Sequence, residues 1–205
     1  MATGRTGVRP EVAQTYAAML NADITPIVGE YGSLGCSGDL APLAHCALAA
    51  MGEGSVRVDG AALPVADALA AAGIEPLVLR EKEGLALING TDGMLGMLAI
   101  AIGDLDDLLD TADLAAAMSV EGLAGTDAVF ASDLQALRPH PGQATSAAHM
   151  RTVLQDSGAI AAHRATGFTR VQDAYSLRCA PQVHGAARDT VDHARRVAGI
   201  ELASA

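Results

Sequence analysis

The octet Gly32-Ser33-Leu34-Gly35-Cys36-Ser37-Gly38-Asp39 constrains the backbone of this chain more than any other segment. Its three glycines have no Cβ that could clash, so the chain can bend here very sharply. In such a bend the Gly38 nitrogen can press onto the Cys36 carbonyl carbon, and closing that ring releases one water. Ser37 can then lose its hydroxyl as a second water. The product of both steps is an electrophilic exocyclic methylene.

The glycine-rich octet can also be compared with four other known motifs. The octet can act as a turn into a helix, with Asp39 as N-cap and Pro42 in the first turn, and this is compatible with ring formation. A phosphate-binding P-loop requires a lysine that is missing here, and a dinucleotide fingerprint requires a preceding strand and another spacing. A hydrolase nucleophile elbow reads Gly-x-Ser-x-Gly, whereas Gly35-Cys36-Ser37-Gly38 is one residue short.

The core must be built almost without aromatic side chains, because apolar residues make up 50% of the 205 residues and aromatic residues only 2%. A core of small and aliphatic side chains favours helices that approach closely. The net charge of -11 argues against nucleic acid and anionic membrane as partners, since both attract lysine and arginine. The longest nearly apolar run, residues 93–103, is too short to span a bilayer.

Cysteine and histidine usage gives no sign of a metal site. The three cysteines form no Cys-x-x-Cys motif, and the N-terminus lacks a secretory apolar region, so we expect a cytoplasmic protein with reduced thiols. The six histidines show no ligand-like spacing and are expected to be structural or surface residues. We therefore expect neither a metal nor a nucleotide cofactor.

Hydrophobic periodicity predicts a mainly α protein, with a small β-hairpin near residues 55–63 that turns at Asp59-Gly60. The longest predicted helix carries Asp104, Asp107 and Asp110 on a face expected to be solvated. Pro181 predicts a kink in the last helix. The predicted helices cover residues 11–21, 40–51, 65–72, 83–118, 142–156 and 172–205.

Polar residues in two apolar segments are candidates for substrate binding. Gln172, Tyr175 and Arg178 are spaced by three, which predicts one face of a helix. The planar guanidinium of Arg178 can hold a carboxylate with two hydrogen bonds, and the Tyr175 hydroxyl can reach the same ligand. Asn89 follows an apolar stretch and precedes a glycine, an unusual place for an amide that costs free energy when buried without partners.

Three segments, residues 32–45, 84–91 and 171–185, resemble the signatures of the histidine and aromatic amino-acid ammonia-lyases. Residues 5–10 resemble the Ser-Gly-Val-Arg stretch that precedes the first signature, with Thr6 in place of the serine. The resemblance implies that the Cys36-Ser37-Gly38 tripeptide becomes a methylidene-imidazolone (MIO) group, although most members carry alanine instead of cysteine. Asp92 stands where many relatives have glutamine. The site residues implied are Cys36, Ser37, Gly38 and Tyr175 for catalysis and Asn89, Gln172 and Arg178 for substrate and cofactor contacts.

The resemblance also implies the architecture and the reaction. It predicts the long-helix bundle of the ammonia-lyase and fumarase/aspartase superfamily, a homotetramer, and residues 1–205 as a single partial domain without the family's N- and C-terminal segments. The reaction implied is non-oxidative deamination of L-histidine to trans-urocanate and ammonia. Two alternatives are a tyrosine or phenylalanine ammonia-lyase, and an inactive truncated scaffold, because the family's β-proton base is expected outside this segment.

Overall fold

The computed structural model describes residues 4–36, 38–167 and 170–204. Contacts divide the chain into two compact units, one formed by the residues up to Leu98 together with those from Glu201, the other by Ala99–Ile200. The mainly α architecture is confirmed. The elements of the described ranges are α1 Pro10–Asn21, β1 Thr25–Pro26, α2 Leu40–Ala50, β2 Ser55–Val58, β3 Ala61–Pro64, α3 Val65–Ala71, α4 Glu83–Ile88, α5 Asp92–Gly122, a 3-10 turn Ala128–Phe130, α6 Ser132–Ala136, α7 Pro141–Leu154, α8 Gly158–Thr166, α9 Tyr175–Arg178 and α10 Ala180–Ala203.

A small antiparallel sheet in the first unit contains the predicted hairpin. Strands β2 and β3 pair from Ser55 with Pro64 to Val58 with Ala61. Asp59 and Gly60 join them with φ angles of 49° and 82°, the left-handed values that a tight two-residue hairpin turn requires. Strand β1 adds to the other edge of β2. Sequence periodicity did not predict β1 because the strand is only two residues long.

The core of the first unit is aliphatic, as the composition requires. Val56, Val65 and Leu69 are completely buried where the hairpin meets α3. A second cluster packs α1 against α2 and α4 through Val12, Ala47 and Leu87. Burial of such side chains, at roughly 25 cal/mol per Å², is the main stabilising contribution to this unit.

The second unit is held by an aliphatic cluster around Phe130, which is fully buried. Helices α7 and α10 approach each other at Gly142 and Gly185, where a Cβ on either glycine would overlap the backbone of the other helix. The expected close approach of helices is therefore confirmed at this crossing. The buried members of the cluster are Ala117, Val120, Phe130, Ala147, Met150, Leu154, Ile160, Leu177 and Ala180.

The prediction of one helix over residues 83–118 is wrong. The chain forms α4 and α5, and it leaves helical geometry at Asn89, whose φ and ψ are -103° and 78°. The reason lies in distant hydrogen bonds: the Asp39 carboxylate accepts from Met94 N at 2.6 Å, and Asp39 N donates to Gly90 O at 3.4 Å. Local periodicity contains no information about these partners. Helix α5 also continues to Gly122, four residues beyond the predicted end.

The prediction of one helix over residues 172–205 is also wrong at its start. Gln172 precedes the helices, and Cys179 separates α9 from α10 with φ and ψ of -102° and 9°. Buried Asp173 accepts from Thr126 N at 2.7 Å, which holds the preceding segment in a non-helical course. Pro181 is the second residue of α10, where its missing N–H costs nothing, so it opens the helix instead of kinking it.

Residues Glu83–Gly122 meet the length and composition criteria of a membrane span, with a mean hydropathy of 1.6 in their most apolar window. Only 11% of that window is buried, and the criteria rest on length and composition alone. The expected absence of a membrane partner stays a prediction.

Candidate active site

The ring-forming octet is an irregular loop that leads into α2. Cys36 is exposed, and Gly35 has a φ of 66°, a left-handed value that glycine adopts at little cost. A Cβ on Gly38 would lie 3.4 Å from Cys36 Sγ, so the two ends of the tripeptide are close together. Ser37, the predicted source of the methylene, lies outside the described residues. The described ends of the tripeptide fit a sharp bend.

Asp39 fixes the end of this loop from a completely buried position. Ser33 Oγ donates to its Oδ1, and the amide of Met94, the third residue of α5, donates to its Oδ2 at 2.6 Å. Asp39 lies immediately before α2 as predicted, but its side chain makes no cap hydrogen bond there. The carboxylate caps α5 instead, so one side chain joins the octet to the turn between α4 and α5.

Asn89 lies in that turn, after the last residue of α4, and its side chain is exposed. It borders a cavity of about 470 Å³ in the first unit, which we call the Asn89 cavity. Asp92, the residue noted for replacing a glutamine, borders the same cavity. The residues that line it are Thr6, Tyr16, Leu43, Cys46, Ala86, Leu87, Asn89 and Asp92.

Tyr16, with its hydroxyl, and Cys46, with its thiol, line the Asn89 cavity, and neither was proposed from the sequence as a site residue. Burial raises the pKa of Tyr16 to about 12, and the charges of Cys46 and Asp92 add to this shift. Burial also raises the pKa of the Cys46 thiol. Both groups therefore keep their protons at neutral pH. Neither residue has a sequence signal, since each occupies one position in an ordinary apolar helix pattern.

In the second unit, Arg178 lies over the ring of Tyr175, with the guanidinium carbon 4.4 Å from the ring centroid. Tyr175 itself is 68% exposed. Arg178 Nε is buried and has no hydrogen-bond partner among the described residues. A buried N–H without a partner costs about 1 to 3 kcal/mol, so this donor is unsatisfied in the present conformation.

The predicted residues lie in two groups, one in each compact unit. In the first unit, Asp39 and its bond to Gly90 bring the octet close to Asn89. In the second unit, α9 brings Tyr175 and Arg178 together. Gln172 is exposed and precedes α9, so the expected arrangement of these three residues on one helix face is wrong.

The second unit also contains a buried polar network that the sequence did not predict. Asp113 is 1% exposed, with His184 Nδ1 2.8 Å from its Oδ1 and Arg188 Nη2 2.6 Å from its Oδ2. Burial alone raises the pKa of Asp113, but hydrogen bonds from His184, Arg188 and Ser146 lower it below its usual value. His184 is thus structural, as expected for the histidines.

The acidic face of α5 is exposed at Asp104, Asp107 and Asp110, as predicted. Asp110, although 61% exposed, also pairs with Arg188 at 2.7 Å. Oxygens of Asp110 and Asp113 and a nitrogen of His149 lie within 4.8 Å of one another, which would suit a cation. Because Arg188 already bonds both carboxylates, the cluster fits a salt-bridge network better than a metal centre.

The whole chain, residues 1–205, matches the family model for aromatic amino acid lyases. It is similar to the histidine ammonia-lyase of Streptomyces griseus, with 63% identity over 100% of this chain and 40% of that relative. Among solved structures, tyrosine aminomutase from Streptomyces globisporus has a TM-score of 0.81 and 42% identity, over 96% of this chain and 40% of that one. Histidine ammonia-lyase from Trypanosoma cruzi has a TM-score of 0.72 and 36% identity, over 91% and 33%.

The chain spans about 40% of the length of the curated relatives that it matches. Its similarity to the solved lyases and aminomutases confirms the helical fold of the fumarase/aspartase type. Because the family model matches every residue, the chain belongs to the aromatic amino acid lyase family.

Proposed function

We propose that this protein deaminates L-histidine without oxidation, giving trans-urocanate and ammonia. The observation that carries the proposal is the guanidinium of Arg178, which lies 4.4 Å from the Tyr175 ring centroid and whose Nε has no hydrogen-bond partner in the part of the chain that the structure describes. The identity of 63% to a histidine ammonia-lyase favours histidine over tyrosine or phenylalanine as the substrate. The small-molecule partner is thus an amino acid with an imidazole side chain.

The tripeptide Cys36-Ser37-Gly38 is the proposed source of an MIO cofactor, which supplies an electrophilic methylene for the substrate. The Gly38 nitrogen bonds to the Cys36 carbonyl carbon, whose oxygen leaves as water. Ser37 then loses its hydroxyl and one Cα hydrogen as a second water. Cysteine in place of alanine is tolerated because only its backbone takes part. The positive φ of Gly35 and the anchored Asp39 support this bend.

The other proposed site residues bind and orient the substrate. Arg178 holds its carboxylate through a planar donor fork, because five fixed N–H groups match two carboxylate oxygens. Tyr175 and Gln172 present polar groups beside the same ligand, and the Asn89 amide offers both a donor and an acceptor. Of these roles, the one for Arg178 has the most direct structural support, since its Nε meets no acceptor among the described residues.

We also propose a homotetramer in the cytoplasm. Exposed apolar side chains along α5 and α10 of the second unit support self-association, among them Ile100, Leu108 and Val183, each at least 60% exposed. All three cysteines are free thiols, which suits a reducing compartment.

The test uses a chimeric enzyme, the Streptomyces chimera, in which these 205 residues replace the matching stretch of the Streptomyces griseus histidine ammonia-lyase. We expect it to form urocanate from histidine, and its intact mass to be two waters below that of the Ser37→Ala variant after correction for the substitution. Tyrosine and phenylalanine serve as competing substrates. Turnover of either one in preference to histidine contradicts the proposed substrate, and an uncyclised, inactive chimera supports the inactive scaffold.

A further inference from the structure

Glu83 is a buried carboxylate that the proposed reaction does not use. Its side chain is 2% exposed, and it is the first residue of α4. Oε1 accepts from Arg9 N at 3.1 Å and Arg9 Nε at 2.8 Å. Oε2 accepts from Arg9 Nη2 and Arg80 N, both at 2.8 Å. Four donors therefore converge on this one group.

Two further hydrogen bonds help to fasten the segment before α1 to the residues that lead into α4. Arg9 Nη2 also donates to Val78 O at 2.8 Å, and Lys82 Nζ donates to Thr6 O at 2.8 Å. Lys82 has a φ of 70°, a left-handed value that is unfavourable for a residue with a side chain. The contacts of Arg9 and Glu83 hold the chain in this conformation at the point where α4 begins.

Helix α4 has only six residues, so it cannot be stable without anchoring from outside. Leu87, which is 8% exposed, packs its apolar side against Val12, Ala47 and Leu77, so a polar anchor is needed mainly at the first turn of the helix. Glu83 fixes the first residue, and Asn89 follows the last one, roughly 9 Å further along at 1.5 Å per residue. Glu83 thus fixes the start of α4, while the bond from Asp39 N to Gly90 O holds the chain just after Asn89, so the two acidic residues together place the Asn89 amide.

A buried ion pair is not by itself a strong source of stability, because removing both charges from water costs about as much as their attraction returns. What the bidentate pair of Arg9 and Glu83 does supply is a defined geometry. Its two sides lead to the two polar residues Thr6 and Asn89, which border the same cavity. Neither Arg9 nor Glu83 is among the residues that line this cavity, so the pair acts on it only through the segments that carry Thr6 and Asn89.

We propose that Glu83 is a positioning residue for the lyase reaction, which acts through α4 on Asn89. This inference rests on the proposed function, because it requires Asn89 to contact substrate or cofactor. Glu83 never touches the reacting atoms. Its effect on turnover therefore depends on the presence of the Asn89 amide.

The experiment compares Glu83→Gln with Glu81→Gln in the Streptomyces chimera, since Glu81 is an exposed glutamate two residues away. We expect kcat to fall about tenfold in Glu83→Gln, a typical size for a coupled contact, and to stay unchanged in Glu81→Gln. The decisive measurement adds Asn89→Ala. If Glu83 acts through Asn89, Glu83→Gln causes no further loss of kcat in the Asn89→Ala background.

Losses that multiply in the double variant overturn the inference, because Glu83 then supports the fold generally. Full activity of Asn89→Ala overturns it as well. If Glu83→Gln does not fold, Arg9→Lys makes the same test, because it keeps the charge and removes the fork. If the chimera itself turns over no histidine, the proposed function fails, and a crystal structure of the variant decides positioning alone: a displaced Asn89 supports it, and an unmoved Asn89 overturns it.

Discussion

At the scale of single residues, Arg178 has the clearest chemical assignment. Its guanidinium is stacked on Tyr175, and its Nε has no partner among the described residues. Replacement by lysine keeps the charge but removes the planar fork. In the Streptomyces chimera, we expect Arg178→Lys to lose about 2 to 4 kcal/mol of transition-state binding, measured from kcat/KM. Arg195→Lys, at an exposed surface pair with Asp106, is the control, and equal kcat/KM in the two variants removes Arg178 from the site.

Tyr16 offers a test of the Asn89 cavity that does not depend on activity. Burial, together with the charges of Cys46 and Asp92, raises the pKa of Tyr16 to about 12. In an alkaline titration of the purified chain, followed by tyrosinate absorbance, we expect a late component near that pH. Tyr16→Phe should remove the late component. If the titration curve of the unmodified chain shows no late component that Tyr16→Phe removes, Tyr16 is open to solvent.

The sequence predicted the candidate residues better than their partners. The octet, Asn89, Tyr175 and Arg178 could be identified because their residue types suit a defined chemistry. The partners of Asp39 could not, since its carboxylate reaches across 55 positions to Met94. The same holds for Glu83, whose main partner Arg9 is 74 residues away. Contacts at such separations leave no trace in local patterns.

At the scale of secondary structure elements, the crossing of α7 and α10 is the most sharply constrained feature of the second unit. Gly142 and Gly185 bring the two backbones together, so a methyl group has no space there. We expect Gly185→Ala to lower the free energy of unfolding of the chain by about 1 to 3 kcal/mol, the usual cost of overpacking a core. Chemical denaturation measures it.

Gly199→Ala is the matched control for this crossing, since Gly199 lies in the same helix and a Cβ there meets nothing within 4 Å. Because alanine favours helix more than glycine, we expect this variant to gain about 0.5 to 1 kcal/mol. A Gly185→Ala variant as stable as Gly199→Ala would contradict the close approach of α7 and α10.

Helix boundaries show where sequence patterns reach their limit. Pro10, the first residue of α1, and Gly73, which follows α3 with a φ of 65°, act on the neighbouring backbone, so boundaries of this kind can be predicted from the sequence. The break after α4 was missed because it depends on Asp39. The helix α9 stops at its C-cap residue Cys179, one position before α10 begins, and a cysteine does not predict a helix end. For this reason the sequence pattern placed Pro181 inside one long helix and predicted a kink.

At the scale of the whole molecule, composition set the architecture correctly. A chain with 2% aromatic residues fills its cores with alanine, valine, leucine and isoleucine, and the only fully buried aromatic side chain among the described residues is Phe130. The net charge of -11 did not predict where charges are buried. Each unit nevertheless encloses a carboxylate in a network of donors, Glu83 in the first and Asp113 in the second.

These two carboxylates predict how the stability of the chain depends on pH. The hydrogen bond from the Arg9 side chain and a backbone bond from Arg80 lower the pKa of Glu83 to about 2. Hydrogen bonds from His184 and Arg188 lower the pKa of Asp113, although burial acts against them. A carboxyl whose pKa is lower in the folded state stabilises that state above its unfolded pKa of about 4 and loses this contribution as pH falls further.

We therefore expect the free energy of unfolding to decrease from about pH 4 downward, toward the folded pKa of Glu83 near 2. Below the isoelectric point of about 4.8 the net charge is positive and grows as pH falls, so self-repulsion adds to the decrease and the comparison must be made between variants. Glu83→Gln and Asp113→Asn remove the two titrating groups, and each should flatten the decrease, most clearly when combined. Denaturant unfolding at a series of pH values measures how steeply the free energy of unfolding falls with pH.

An exposed control, Asp104→Asn, should show the same pH dependence as the unmodified chain. If the double variant Glu83→Gln, Asp113→Asn also shows that same pH dependence, other carboxylates govern the acid stability of the chain.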